Sequence, residues 1–151
     1  MKAFTNSSFA LAISGVLLCS CSQRNTSDLS AQPKPTSPVI GHVLVDGKVA
    51  DKLSVICHDV DHSAKQNKPR PVGLTGEDGR IEFSSYQKGD GVPEGQYALT
   101  FTWGEWDDYW KKSSGPDRLA GRYADPQKSA IRLSVKRGTP TDLGTIQLLT
   151  K

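Results

Sequence analysis

The sequence predicts an all-β protein, a single two-sheet antiparallel sandwich. Three observations carry that expectation. Apolar residues recur at every second position in several short runs, turn-forming pairs separate those runs, and no segment sustains a helical apolar period. The chain has 151 residues, 36% of them hydrophobic and 23% charged. That is enough for one hydrophobic core and too little for two domains.

Taken in order, the first run alternates Val43 and Val45 with His42 and Leu44, and Asp46-Gly47 follows as a favoured pair for a tight hairpin turn. Leu53, Val55 and Cys57 share one face of the next run, opposite Ser54, Ile56 and His58. Asp78-Gly79 marks a turn before Ile81 and Phe83. Gly95 opens the clearest strand. Tyr97, Leu99, Phe101 and Trp103 point one way, and Gln96, Ala98, Thr100 and Thr102 the other. Ile131, Leu133 and Val135 then alternate with Arg132 and Ser134, and a last short run holds Leu143, Ile146 and Leu148. Six or seven such strands make a sandwich. One local exception runs from Glu105 to Lys112, where the spacing suits a single helical turn.

The N-terminal segment has a different character. Lys2 is followed by an apolar run from Phe9 to Leu18 and then by Leu18-Cys19-Ser20-Cys21. The run is shorter than the roughly 20 residues needed to span a bilayer, and it resembles the removable signal of a bacterial lipoprotein. Small Ser20 before Cys21, against bulky Leu18 before Cys19, selects Cys21 as the acylated residue. An ordinary secretory signal is the alternative. Several acyl chains, palmitate among them, would hold the protein firmly, since each buried methylene contributes ~0.8 kcal/mol. Three regions follow: a signal peptide over 1–20, a lipidated N-terminus and disordered tether over 21–38, and the β domain over 39–151. The Ser-, Thr-, Asn-, Gln- and Pro-rich tether has too little apolar surface to order itself. The expected location is the cell envelope, lipid-anchored at the outer membrane and facing the periplasm or the cell surface. Ser22 after the acylated cysteine favours that membrane.

With Cys19 removed and Cys21 acylated, only Cys57 of the three cysteines stays free, so no disulfide can staple the domain. Nineteen basic against sixteen acidic residues give a formal charge of +3, spread along the chain. No basic block points to nucleic acid. The expected partners are the membrane, through the lipid on Cys21, and an envelope protein or glycan.

Five motifs resemble one family. They are Gly41-His42-Val43, Asp46-Gly47-Lys48, the run from Thr75 to Ile81 (Thr-Gly-Glu-Asp-Gly-Arg-Ile), Glu94-Gly95-Gln96-Tyr97 and Tyr123-Ala124-Asp125-Pro126. Together they are similar to small bacterial lipoproteins with a transthyretin-like, carboxypeptidase regulatory-like domain. The resemblance covers roughly Val39 to Leu149. It implies a seven-stranded Greek-key sandwich of the prealbumin type and an accessory, adhesive or ligand-presenting role, with no catalytic residues. The chain departs from that pattern by an aromatic-rich insertion between the Tyr97 strand and Tyr123.

The insertion gathers Trp103, Trp106, Tyr109 and Trp110 beside Glu105, Asp107 and Asp108. Aromatic faces with adjacent carboxylates suit a sugar or a cationic ligand. A helical turn would place Trp106 and Trp110 on one face, with Asp107–Lys111 and Asp108–Lys112 pairs on another. The competing expectation is that the loop caps the sandwich and its indoles fill the core. His58, Asp59, Asp61 and His62 offer metal-ligand chemistry but lack a convergent third or fourth partner, so no metal and no cofactor is expected. Nucleophile-elbow, zinc-protease and phosphate-loop signatures are absent. The expected function is therefore a lipid-anchored envelope binding or interaction module without catalysis. The rival is a carbohydrate- or peptidoglycan-binding domain, or a hydrolase, acting through the Trp103–Trp110 loop.

Overall fold

The computed structural model describes residues 33–61 and 69–151. Cys21, the signal segment and His62 lie outside them. Chain order begins with β1 (Thr36–Ser37), β2 (Val39–Val45), β3 (Lys48–Val49) and β4 (Ser54–Asp59). Next come β5 (Val72–Thr75), β6 (Ile81–Ser84), β7 (Val92–Pro93) and β8 (Gly95–Thr102). The last four are β9 (Glu105–Asp107), β10 (Lys112–Ser114), β11 (Arg132–Val135) and β12 (Thr141–Leu148). No helix occurs among the described residues.

Two sheets enclose the core. One has five antiparallel strands in the order β11-β8-β4-β5-β6, and the other has three in the order β12-β2-β3. Val55, Cys57, Leu99, Phe101, Leu133 and Phe83 face inward from the first, and Val43, Val45, Ile146 and Leu148 from the second. A bond from Val43 N–H to Gly79 O (2.9 Å) and a bridge between His42 and Arg80 tie the smaller sheet to the turn before β6. The expected hairpin at Asp46-Gly47 forms between β2 and β3, both turn residues taking the positive φ that a type I′ turn requires (50° and 75°).

The structure departs from the sequence reading in four places. First, β12 runs parallel to β2 rather than antiparallel. The turn after β11 delivers the chain to Pro38, where Thr141 N–H donates to Pro38 O, so the last strand starts beside the start of β2 and runs with it. A bulge between Asp142 and Thr145 accompanies Gly144 at φ 64° and accounts for the odd spacing of Leu143 and Ile146. Second, the tether ends before Pro38. Thr36–Ser37 pair with Val92–Pro93, and the buried Ser37 hydroxyl donates to Lys136 O and accepts from Gly138 N–H, both at 3.0 Å. Third, β8 is buried on both faces at its centre. Ala98 and Thr100 are only 3% exposed, on a strand flanked by β4 and β11, with the His58 ring 2.8 Å from the Thr100 hydroxyl. The fourth is the stretch from Glu105 to Lys112, which is described with the site below.

Cys57 occupies the core, as its register with Val55 predicts. It is the free cysteine among the described residues, and burial pushes its thiol up to about 12 from an ordinary 9.0. The native domain should therefore react slowly with an alkylating reagent and quickly once unfolded in urea. The unfolded thiol loses its proton first, so this group's contribution to stability is complete below pH 9.0. It is lost as pH rises toward about 12. Fast labelling of the folded protein would place the thiol at the surface.

Candidate functional site

The aromatic insertion is a β-hairpin. Strands β9 and β10 pair Glu105 with Ser114, Trp106 with Ser113 and Asp107 with Lys112, leaving a four-residue loop from Asp108 to Lys111. Asp107 decides the shape. Its Oδ1 accepts N–H bonds from Tyr109 and Trp110, both at 2.9 Å, capturing donors that a continuing helix would need elsewhere. Lys111 completes the reversal at φ 49°. At the hairpin's base Gly104 permits a close crossing, because a Cβ there would stand 2.5 Å from both Ser113 Oγ and Ser114 O.

Trp103 is part of the scaffold. Its indole N–H donates to Asp51 O (3.1 Å), its backbone N–H to Asp117 Oδ1 (2.8 Å), and the Arg118 guanidinium lies 4.9 Å from its ring centroid. The ring packs half-buried against the core, as the core-filling expectation has it. Trp106 is half-buried too. It lines a groove of about 280 Å³ between the hairpin and the outer face of β4, β5 and β6, together with Ser54, Val72, Leu74, Lys111 and Ser113. Its indole N–H donates to Asp108 Oδ1 (3.1 Å). That bond and the Lys111 ammonium, 3.4 Å away, hold the Asp108 carboxyl below its usual range.

Tyr109 and Trp110 project from the tip, 84% and 65% exposed. A helical turn would set Trp106 and Trp110 on one face, but the hairpin separates them and brings Tyr109 and Trp110 together instead. Their centroids are 4.8 Å apart and their planes meet at 89°. Lys112 Nζ stands 5.9 Å from the Trp110 centroid. The ion pair that forms is Lys111–Asp108 at (i, i+3), in place of the two expected (i, i+4) pairs. The tip is thus a perpendicular aromatic wedge flanked by two lysines, not a flat platform.

Sequence reasoning missed Asp117. Its carboxylate accepts from the N–H groups of Trp103, Leu119 and Gly121, pinning the return strand of the insertion to β8's end. Burial opposes its ionisation, and these backbone bonds outweigh that and lower its pKa. An Asp two residues before a lone buried Leu119 in a glycine-rich turn is the signal that could have found it. His58, a candidate for metal binding by its sequence neighbours, has Nε2 2.8 Å from Thr100 Oγ1. No group of three or more His, Cys, Asp or Glu side chains converges among the described residues.

No family model matches the chain. No curated protein matches it either. Among solved structures it is similar to a DUF3823 family protein from Parabacteroides merdae, at 13% identity and a TM-score of 0.39. It is also similar to a 9R-lipoxygenase from Cyanothece, at 14% identity and a TM-score of 0.38. Each alignment covers 78% of this chain, which spans 46% of the first protein and 18% of the second. The lipoxygenase activity belongs to that protein.

Proposed function

We propose that this is a non-catalytic, lipid-anchored interaction module of the cell envelope, a transthyretin-like Greek-key sandwich that meets its partner through the tip of the β9–β10 hairpin. The anchor is the acylated Cys21, argued from Leu18-Cys19-Ser20-Cys21, and the location is the outer membrane. The observation that carries the reading is the exposure of Tyr109 and Trp110 on a hairpin fixed by Asp107, Gly104 and Asp117. Exposed aromatics on a rigid support lose little conformational entropy when they are covered, and for that reason they anchor many interfaces. The carbohydrate-binding reading draws on Asp107 and Asp108 beside the rings. Here both carboxylates already serve the hairpin's own bonds, and the perpendicular rings offer no shared stacking face.

The test is photo-crosslinking in living cells with a photoreactive residue at position 109 of the full chain. A discrete protein adduct is expected there and none at the exposed Val49 on the other sheet. Cys21→Ala should release the chain from membranes and abolish the adduct. Tyr109→Ala with Trp110→Ala should leave stability within about 0.5 kcal/mol, as exposed changes do. No adduct at 109, or equal adducts at 109 and 49, would overturn the reading.

A further inference from the structure

The outer face of the five-stranded sheet holds a second concavity away from the hairpin. Its floor is one cross-strand row, in which His58 on β4 pairs with Ala98 on β8 and Ala98 pairs with Arg132 on β11. Neighbouring strands lie about 4.8 Å apart, so His58 and Arg132 stand roughly 10 Å apart across a single methyl group. Around that row the chain forms a cleft of about 570 Å³, walled by Pro69, Arg70, Pro126 and Gln127. The volume lies within the range of small-molecule sites.

The cleft sets two guanidinium groups, Arg70 and Arg132, against one carboxylate, Asp59, a net positive balance that suits an anion. Among the described residues neither Arg70 nor Arg132 is held in an ion pair. Asp59, which also lines the cleft, accepts an N–H bond from Asp61 at 2.9 Å. Burial first, and the Arg70 charge second, lower the pKa of His58 and so favour its neutral imidazole. When the Thr100 hydroxyl donates to Nε2, Nδ1 carries the ring hydrogen and becomes a further donor. Pro69, Pro126 and Ala98 supply an apolar lining beside these groups.

We infer that this cleft binds a small organic anion, its carboxylate or phosphate group drawn by the Arg70 and Arg132 guanidiniums and its apolar body lying against Pro69 and Pro126. Guanidinium groups match both head groups through paired N–H donors. The inference does not depend on the hairpin's role.

Calorimetric titration of the full chain in detergent tests it, with three probes: N-acetylalanine, its uncharged amide, and methyl phosphate. Binding of at least one anion and none of the amide is expected, and the two anions separate a carboxylate site from a phosphate site. Arg132→Gln should weaken that binding by about tenfold or more, the loss of one charge-assisted contact, without moving the melting temperature. Ala98→Leu should abolish it by filling the floor. Failure of both anions to bind, equal binding of the amide, or affinity unchanged in Arg132→Gln would each overturn the inference.

Discussion

Phe101→Ala is expected to cost about 3–5 kcal/mol of unfolding free energy, the range for emptying a well-packed aromatic site. Phe101 is 1% exposed on the inner face of β8, between the two sheets, and meets Tyr123 edge-on with centroids 6.4 Å apart. Tyr123 in turn holds the chain end, its hydroxyl accepting from Leu149 N–H at 3.0 Å. The cavity would therefore open where the smaller sheet's last strand is tethered. Thr100→Ala, one residue earlier on the outer face, should cost less but not nothing, because its hydroxyl bonds to His58. Denaturant melts that show equal losses for the two variants would mean that the inner face of β8 is not the core.

The second large effect is expected at Gly91. It sits at φ 89°, and a Cβ there would overlap the carbonyl oxygen of Ser37. Gly47, at φ 75° with open space around its position, serves as the control. Gly47→Ala should lose about 1–3 kcal/mol from backbone strain alone. Gly91→Ala should lose clearly more, since β1 must also leave Val92–Pro93 and release the Ser37 hydroxyl from Lys136 and Gly138. Paired thermal melts read the difference. Equal losses would show that β1 contributes nothing to the domain.

What the sequence made legible is the identity of the inward faces. Leu53, Val55 and Cys57, or Tyr97, Leu99 and Phe101, alternate because a pleated strand sends successive side chains to opposite sides, and burial selects one side. Alternation carries no direction, so β12 reads the same whether it runs parallel or antiparallel to β2. Nor does it show what lies beyond a strand's solvent face, which is why the burial of Ala98 and Thr100 needed the neighbouring strands to be known. The aromatic hairpin was illegible for another reason. Residues four apart suit a helical turn, and they equally suit the two ends of a hairpin loop. The choice was made by one carboxylate oxygen on Asp107 taking two backbone N–H groups. The arginine-lined cleft had no sequence signal at all, because His58, Ala98 and Arg132 meet only through strand register.

The parallel pairing of β12 with β2 has a mechanical consequence. A pull applied to the chain at residue 33 enters through β1 and loads β2 from its first residue, Val39. Beside it β12 runs in the same direction, paired from Thr141 opposite Val39 to Leu148 opposite Val45 across the bulge between Asp142 and Thr145. Tension along β2 therefore slides it against its neighbour, and the hydrogen bonds of that ladder share the load rather than opening one at a time. Beyond Leu148, Thr150 donates to the Asp46 carboxylate through both its N–H (3.2 Å) and its hydroxyl (2.6 Å), a clasp at the far end of the same ladder. Load applied between residue 33 and the C-terminal end of β12 would meet this ladder in shear, and the force it bears would follow how fast the ladder fails rather than its equilibrium stability.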